Sequence, residues 1–310
     1  MFDFIGDIHG CAGHLLSLLV ELGYEPHNGA WSHPERKAFF LGDFIDRGGQ
    51  IPEALQIVRE MVDSGNAFAI MGNHEYNAIC FNIHDRAHGY LRHHSIQNMV
   101  QHVETIKQFR NHQDEYDDYV AWFRKLPLFY ECDSFRAVHA CWDQNHVNLL
   151  NDEISGKCLI DSNGCLTDDF FRQSSKRGNG LHTAVKDLLR GRELELPEGC
   201  RFVDKDGRKH SKVRIRWWQN PSGATFRDLS VFSEKYLPES PVSCDEHSKP
   251  GFYGEQEKPV FFGHYWLKGQ PQLFRDNVCC LDYSVAKDGR LVAYRFDGES
   301  KLEPERFVCI

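Results

Sequence analysis

Ala38-Phe39-Phe40-Leu41-Gly42-Asp43-Phe44-Ile45-Asp46-Arg47-Gly48 joins an apolar run to a loop that holds two carboxylates and an arginine between glycines. Four apolar residues stopped by glycine read as a buried strand, and the loop then sits at that strand's C-terminal end, where open α/β sheets place ligands. Two neighbouring stretches repeat the pattern. Phe2 to Ile5 runs into Gly6-Asp7-Ile8-His9-Gly10, and Phe68 to Met71 runs into Gly72-Asn73-His74-Glu75. Between them, Leu15, Leu16, Leu18, Leu19 and Leu22 crowd a helix ended by Gly23, and Ala54, Leu55, Val58, Met61 and Val62 give an apolar face to a helix from about Pro52 to Val62. The reading is an α/β fold with three ligand-bearing loops on one edge.

These loops carry hard and borderline metal ligands. Phosphoester hydrolysis needs a nucleophile at neutral pH, neutralised phosphate oxygens and help for the leaving oxygen, which two divalent cations about 3.5–4 Å apart can supply. Such a pair needs a bridging carboxylate, and Asp43, on the middle loop, suits that place. Asp7 and His9, at i and i+2 of one loop, can face one cation with Asp43. A strand from Phe135 to Val138 delivers His139, and one from Val260 to Phe262 delivers His264; with Asn73 they offer a carbonyl and two imidazoles to the second cation. This mixed oxygen and nitrogen set suits Mn, Fe, Zn or Mg, with Mn favoured.

With Gly42-Asp-Phe-Ile-Asp-Arg-Gly48 and Gly72-Asn-His-Glu75, the chain resembles the calcineurin-like metallophosphoesterase superfamily, and within it the phosphoprotein phosphatase branch. That branch also holds the symmetrical diadenosine tetraphosphate hydrolases and bacterial relatives. The resemblance covers residues 1–80, 135–142 and 258–298. It implies two mixed β-sheets packed as a sandwich and flanked by helices. It also implies Asp7, His9 and Asp43 on the first metal, and Asp43, Asn73, His139 and His264 on the second. Arg47 would hold phosphate oxygens, while His74, paired with Asp46, would assist the leaving group or the attacking hydroxide. Ala140-Cys141 stands where that family usually has glycines, and Tyr265-Trp266 replaces the second histidine of G-H-x-H. A second phosphate-binding arginine should lie between the last two histidines; Arg214, Arg216 and Arg227 are candidates, and Arg216 is taken as the substrate contact.

The expected core is residues 1–144 with 258–310, and 145–257 is read as a helical or irregular insertion or cap. Asp288-Gly289 marks a hairpin between Asn277–Leu281 and Leu291–Phe296. His84, His88, His93, His94, His102 and His112 are read as surface or satisfied polar positions, Glu75 as a helix cap or support, and Trp217-Trp218 as packing. Between Arg172 and Arg216, 13 Lys or Arg stand against 6 Asp or Glu in a chain of net charge -9, which could recruit a polyanion. Eleven cysteines without a C-x-x-C motif suggest free thiols in a reducing compartment. No 20-residue apolar span occurs and residues 1–10 enter a strand directly, so a cytoplasmic enzyme is expected, with no membrane partner and no stable nucleic-acid partner.

The function expected is metal-dependent hydrolysis of phosphate esters by in-line attack of a metal-bridging hydroxide. A phosphomonoester on a small molecule, nucleotide or phosphoprotein is the favoured substrate. Dinucleoside polyphosphate hydrolysis is the alternative, and a catalytically silent interaction scaffold is a third reading.

Overall fold

The computed structural model describes residues 1–86, 89–203, 209–231, 237–242 and 252–310. Phe2–Ile5 is central to one mixed sheet. It runs parallel to Lys37–Phe40, which runs parallel to Ala67–Ala69, and it runs antiparallel to Arg290–Phe296. Phe307–Cys309 pairs along the other edge of Arg290–Phe296, and Asp282–Tyr283 pairs with Arg290 and Leu291 at its start. A second mixed sheet orders Val278–Cys280, Val260–Phe262, Arg136–Val138 and Phe129–Glu131.

The sheets meet face to face through aromatic side chains that alternate along the strands. Phe4 stacks on Phe261 with ring centres 3.7 Å apart and meets Phe135 edge-on at 4.9 Å. Its neighbour Ile5 points the other way, into the core shared with the helices. Because side chains alternate with a period of two, a one-residue slip would turn Phe4 outward, so the register is strongly held.

Helices α1 (Ala12–Glu21) and α2 (Ile51–Asp63) follow the first two loops, whereas the third motif is itself helical, Gly72 capping α3 (Asn73–Asn82) and Asn73, His74 and Glu75 forming its first turn. The apolar face expected for α2 is buried at Ala54, Leu55, Val58 and Met61, and Pro52 stands in its first turn, where its missing N–H costs nothing. Next come α4 (Ile96–Phe109), capped by Ser95, and α5 (Gln113–Phe123). In the stretch read as a cap lie α6 (Gln144–Gly156), α7 (Asp168–Ser175) and α8 (Gly180–Arg190). A small separate apolar cluster of Leu196, Val213, Ile215, Phe226, Leu229 and Leu237 follows. Leu188 of α8 accepts a hydrogen bond from Ala140 N at 2.8 Å, which seats this helix against the loop after His139.

The C-terminal hairpin differs from the expected one. Val278–Cys280 lies in the second sheet beside Val260–Phe262, whereas Asp282–Tyr283 pairs with Arg290 and Leu291 in the first. Leu281 is the crossing point, its N–H still bonded to Phe262 O. Asp288, with φ of 56°, does make a turn, but the turn closes the shorter strand. Among the described residues no helix is long and apolar enough to cross a membrane, and the described cysteines are free.

Candidate metal centre

The loops at the strand ends are held in uncommon backbone conformations. His9, Asp43, Asp46, Arg47, His264 and Trp266 all have positive φ, which costs a non-glycine residue about 1–3 kcal/mol each and persists only where the surroundings enforce it. Gly263 cannot carry a side chain, because its Cβ would lie 2.0 Å from Asp7 Oδ1. Glu75, fully buried on the first turn of α3, ties two loops together. Its Oε2 accepts from Asp43 N at 2.8 Å and Gly72 N at 2.9 Å, and its Oε1 accepts from Phe44 N at 2.8 Å. Burial, and then the charge of Asp43, push its carboxyl up to about 7.

Asp43 is the hub of the centre. Its Oδ2 lies 3.3 Å from His139 Nε2, 3.7 Å from His9 Nε2 and 3.9 Å from His74 Nε2. Two groups of donor atoms, His9–Asp43–His74 and Asp43–His139–His264, are each contained within 4.8 Å and share this carboxylate.

The imidazoles are oriented for coordination. His9 Nδ1 bonds to Ile45 O at 2.9 Å and His139 Nδ1 to Leu41 O at 2.7 Å; with Nδ1–H as donor, each Nε2 lone pair is directed inward. His9 Nε2 and His264 Nε2 are buried with no hydrogen-bond partner, an arrangement that costs free energy unless a ligand completes it. One terminal atom of the Asn73 amide lies 2.6 Å from His264 Nδ1 and 3.3 Å from His139 Nε2. With the oxygen in that place, three acceptors face one another, which suits a cation between them. Asp7 belongs to neither group: both its oxygens accept from His264 N at 3.2 Å, beside the centre. Burial, Asp282 and Asp43 raise its carboxyl well above the usual range, a penalty that positive charge would relieve. These residues therefore fit divalent cations of borderline hardness.

Behind the donors lies a buried hydrogen-bonded dyad. His74 Nδ1 is bonded to Asp46 Oδ2. Burial alone would lower the His74 imidazole, but the charges of Asp43 and Asp46 outweigh it and raise it.

A family model described as calcineurin-like phosphoesterase matches residues 1–188. This chain belongs to that family. It is 30% identical over 311 residues to the symmetrical bis(5'-nucleosyl)-tetraphosphatase of Marinomonas sp. (strain MWYL1), covering 96% of this chain and 94% of that one. The protein of the same name from Methylobacillus flagellatus is 25% identical across 95% of this chain and 91% of its own length. Across 74 residues, 24% of this chain and 30% of the relative, it is 43% identical to the asymmetrical bis(5'-nucleosyl)-tetraphosphatase PrpE of Halalkalibacterium halodurans. The chain is thus a phosphoester hydrolase, of a family that works with paired divalent cations.

Several residues of this phosphoesterase escaped the sequence reading. His102 takes the satisfied polar alternative, buried on α4, but its place beside Asp46 was not foreseen: its Nδ1 bonds Asp46 Oδ1 at 2.7 Å, and its Nε2 bonds Tyr116 OH at 2.8 Å. Thr105 Oγ1 donates to the same Asp46 oxygen at 2.6 Å. His94 is stacked between Phe81 and Tyr90, His84 and His112 are exposed, and His88 lies outside the described residues.

Trp266 stands at the centre's rim, its ring 5.4 Å from that of His9. The Arg47 guanidinium lies 4.0 Å and Lys287 Nζ 4.1 Å from the indole. Asp282 Oδ2 holds the loop by accepting from Trp266 N at 2.7 Å. Arg216 instead lines a surface cavity with Trp218, Asn220 and Phe274. The arginines whose charge bears on His264 are Arg214 and Arg190. Trp217 and Trp218 are buried, and Trp217 Nε1 donates to Ala140 O at 2.9 Å, so both are packing residues.

Proposed function

We propose that this phosphoesterase hydrolyses a dinucleoside polyphosphate, using His9, Asp43, Asn73, His139 and His264, with Asp7 beside them, to hold two divalent cations. The observation that carries the chemistry is the sharing of Asp43 between two donor groups in which His9 Nε2 and His264 Nε2 are buried without a hydrogen-bond partner. The substrate rests on similarity along nearly the whole chain to relatives named for symmetrical bis(5'-nucleosyl)-tetraphosphate cleavage. That similarity moves the preference from the phosphomonoester favoured by sequence to its alternative.

When bound, the two cations would acidify water and neutralise phosphate oxygens. Asp43, between the donor groups, would keep them at a fixed separation. Arg47, braced on the Trp266 ring, would bind and orient the phosphate under attack. His74 keeps its Nδ1 proton on Asp46 and presents Nε2 towards Asp43, 3.9 Å away, from where it would give a proton to the leaving oxygen. In this reading the described residues of 145–257 cap the core of 1–144 and 258–310, since Leu188 of α8 bonds Ala140, next to His139. Free thiols at the described cysteines support a reducing, cytoplasmic setting.

The test is turnover with added manganese on four substrates side by side: an aryl phosphomonoester, an aryl phosphodiester, a phosphopeptide and diadenosine tetraphosphate. The tetraphosphate should give the highest kcat/KM, and Asp43→Asn or His139→Ala should remove more than about 99% of it while the far-UV spectrum is kept. A dominant rate on the aryl monoester or phosphopeptide would overturn the substrate, and full activity in either variant would overturn the ligand assignment.

A further inference from the structure

Two guanidiniums close to the centre have no part in the chemistry above. Arg92 Nη1 and Arg190 Nη2 donate to the same acceptor, Asn77 Oδ1, at 2.9 and 2.7 Å. Asn77 is one turn beyond Asn73 on α3, so it shares a helix face with that residue. Arg92 Nη2 donates to Gln101 Oε1 at 2.7 Å, a second neutral group. Arg36 by contrast meets Asp3 and Arg192 meets Asp143, while half-buried Arg275 meets backbone carbonyls of Tyr253 and Gly254. Among the described residues neither Arg92 nor Arg190 has a carboxylate within ion-pair distance, and both are half-buried.

Their placement links the pair to the reacting groups. Arg190 ends α8 directly after Leu189, whose carbonyl lies 3.3 Å from the Asn73 amide, and its charge is felt at His264. Arg92 lines a narrow cleft with Asp46, His74, Asn77 and His102. Arg92 thus flanks the dyad, with Arg190 beside it on Asn77, while Arg47 rests on Trp266 beside His9.

Two like charges on one carbonyl oxygen repel, and the amides of Asn77 and Gln101 hold them in position without neutralising them. Burial, and then the Arg190 charge, bring the Arg92 guanidinium down to about 10. A phosphoryl group relieves both penalties, since each guanidinium fork can bind two of its oxygens.

We propose that Arg92 and Arg190, positioned by Asn77, form a second anion site for a phosphoryl group adjacent to the one cleaved, as found in a polyphosphate chain. A monoester has no such group, so the site selects for chain substrates. This deepens the polyphosphate reading and rests on it only for the identity of the cleaved bond.

The probe is inorganic tripolyphosphate, compared with orthophosphate as an inhibitor of aryl phosphate turnover in excess manganese. Wild type, Arg92→Gln, Arg190→Gln and Arg92→Lys are measured together. Tripolyphosphate should inhibit wild type at a concentration at least about tenfold below orthophosphate, and each glutamine variant should shrink that gap by about tenfold. Arg92→Lys, which keeps the charge and loses the fork, should retain part of it. Chelation of manganese would lower all four proteins alike. Equal inhibition constants in wild type, or a gap that survives both glutamine substitutions, overturns the site. If the gap is present and arginine-dependent but diadenosine tetraphosphate is not cleaved, the anion site stands and the substrate reading falls.

Discussion

Asp46 accepts from His74 on one carboxylate oxygen and from His102 and Thr105 on the other. The chain continues outward: Tyr116 OH lies 2.8 Å from His102 Nε2, and Asn82 Nδ2 donates to Tyr116 OH at 2.8 Å. The outer links are satisfied together when Tyr116 donates to His102 Nε2 and His102 Nδ1–H donates to Asp46. Burial would raise the Asp46 carboxyl, but the His74 charge and the His102 hydrogen bond outweigh it and hold it well below the usual carboxylate range. His102 is therefore a positioning residue for His74. His102→Ala should lower kcat about 10–100-fold with little change in KM, the usual effect of losing an outer partner. Removing this donor lets the Asp46 pKa rise, so the acid limb of the pH–rate profile should move to higher pH. An unmoved limb would reduce His102 to packing. The signal in sequence was weak: His102, Thr105 and Phe109 recur at buried helical spacing on α4, but two of the three are polar, and a search for apolar stripes passes over them.

At the scale of elements, the sandwich depends on aromatic faces contributed by distant strands. Phe261 is fully buried, stacked on Phe4 and 5.4–5.5 Å from the rings of Phe296 and Tyr294. Phe261→Ala should cost about 3–5 kcal/mol in urea unfolding, because its partners belong to the other sheet and cannot collapse into the void. A loss under about 1 kcal/mol would mean that the sheets repack. Most strands were legible, since apolar runs and glycine stops are local, but Phe129–Glu131, Asp282–Tyr283 and Phe307–Cys309 were not read from the sequence. Their division between two sheets was not: Val278–Cys280 and Asp282–Tyr283 are separated by Leu281 alone, yet lie in different sheets. Neither propensity nor turn chemistry marks that crossing; it follows from which strand each edge can reach.

Across the whole molecule, a net charge of -9 would repel a polyanionic substrate, whereas Arg47, Arg92 and Arg190 gather near the centre. The screening length decides between them. At about 0.1 M salt it is about 10 Å, so remote carboxylates are muted and the nearby arginines govern approach. Raising salt from about 0.1 to 0.5 M should therefore lower kcat/KM for diadenosine tetraphosphate several-fold more than for an aryl monophosphate. Parallel salt profiles for the two would show that the arginines do not steer the substrate.

Sequence alone determined the α/β class, the order of three ligand-bearing loops and the types of donor they carry, because strand, turn and ligand lie within a few residues of one another. Only the tertiary structure decided that His74 joins His9 and Asp43 in one donor group while Asp7 stands outside both, that His102 reaches Asp46 across 56 positions, and that Arg92 and Arg190 meet on Asn77. Such meetings depend on how helices and sheets pack. Periodicity shows which face of an element is buried, and packing alone shows what that face is buried against.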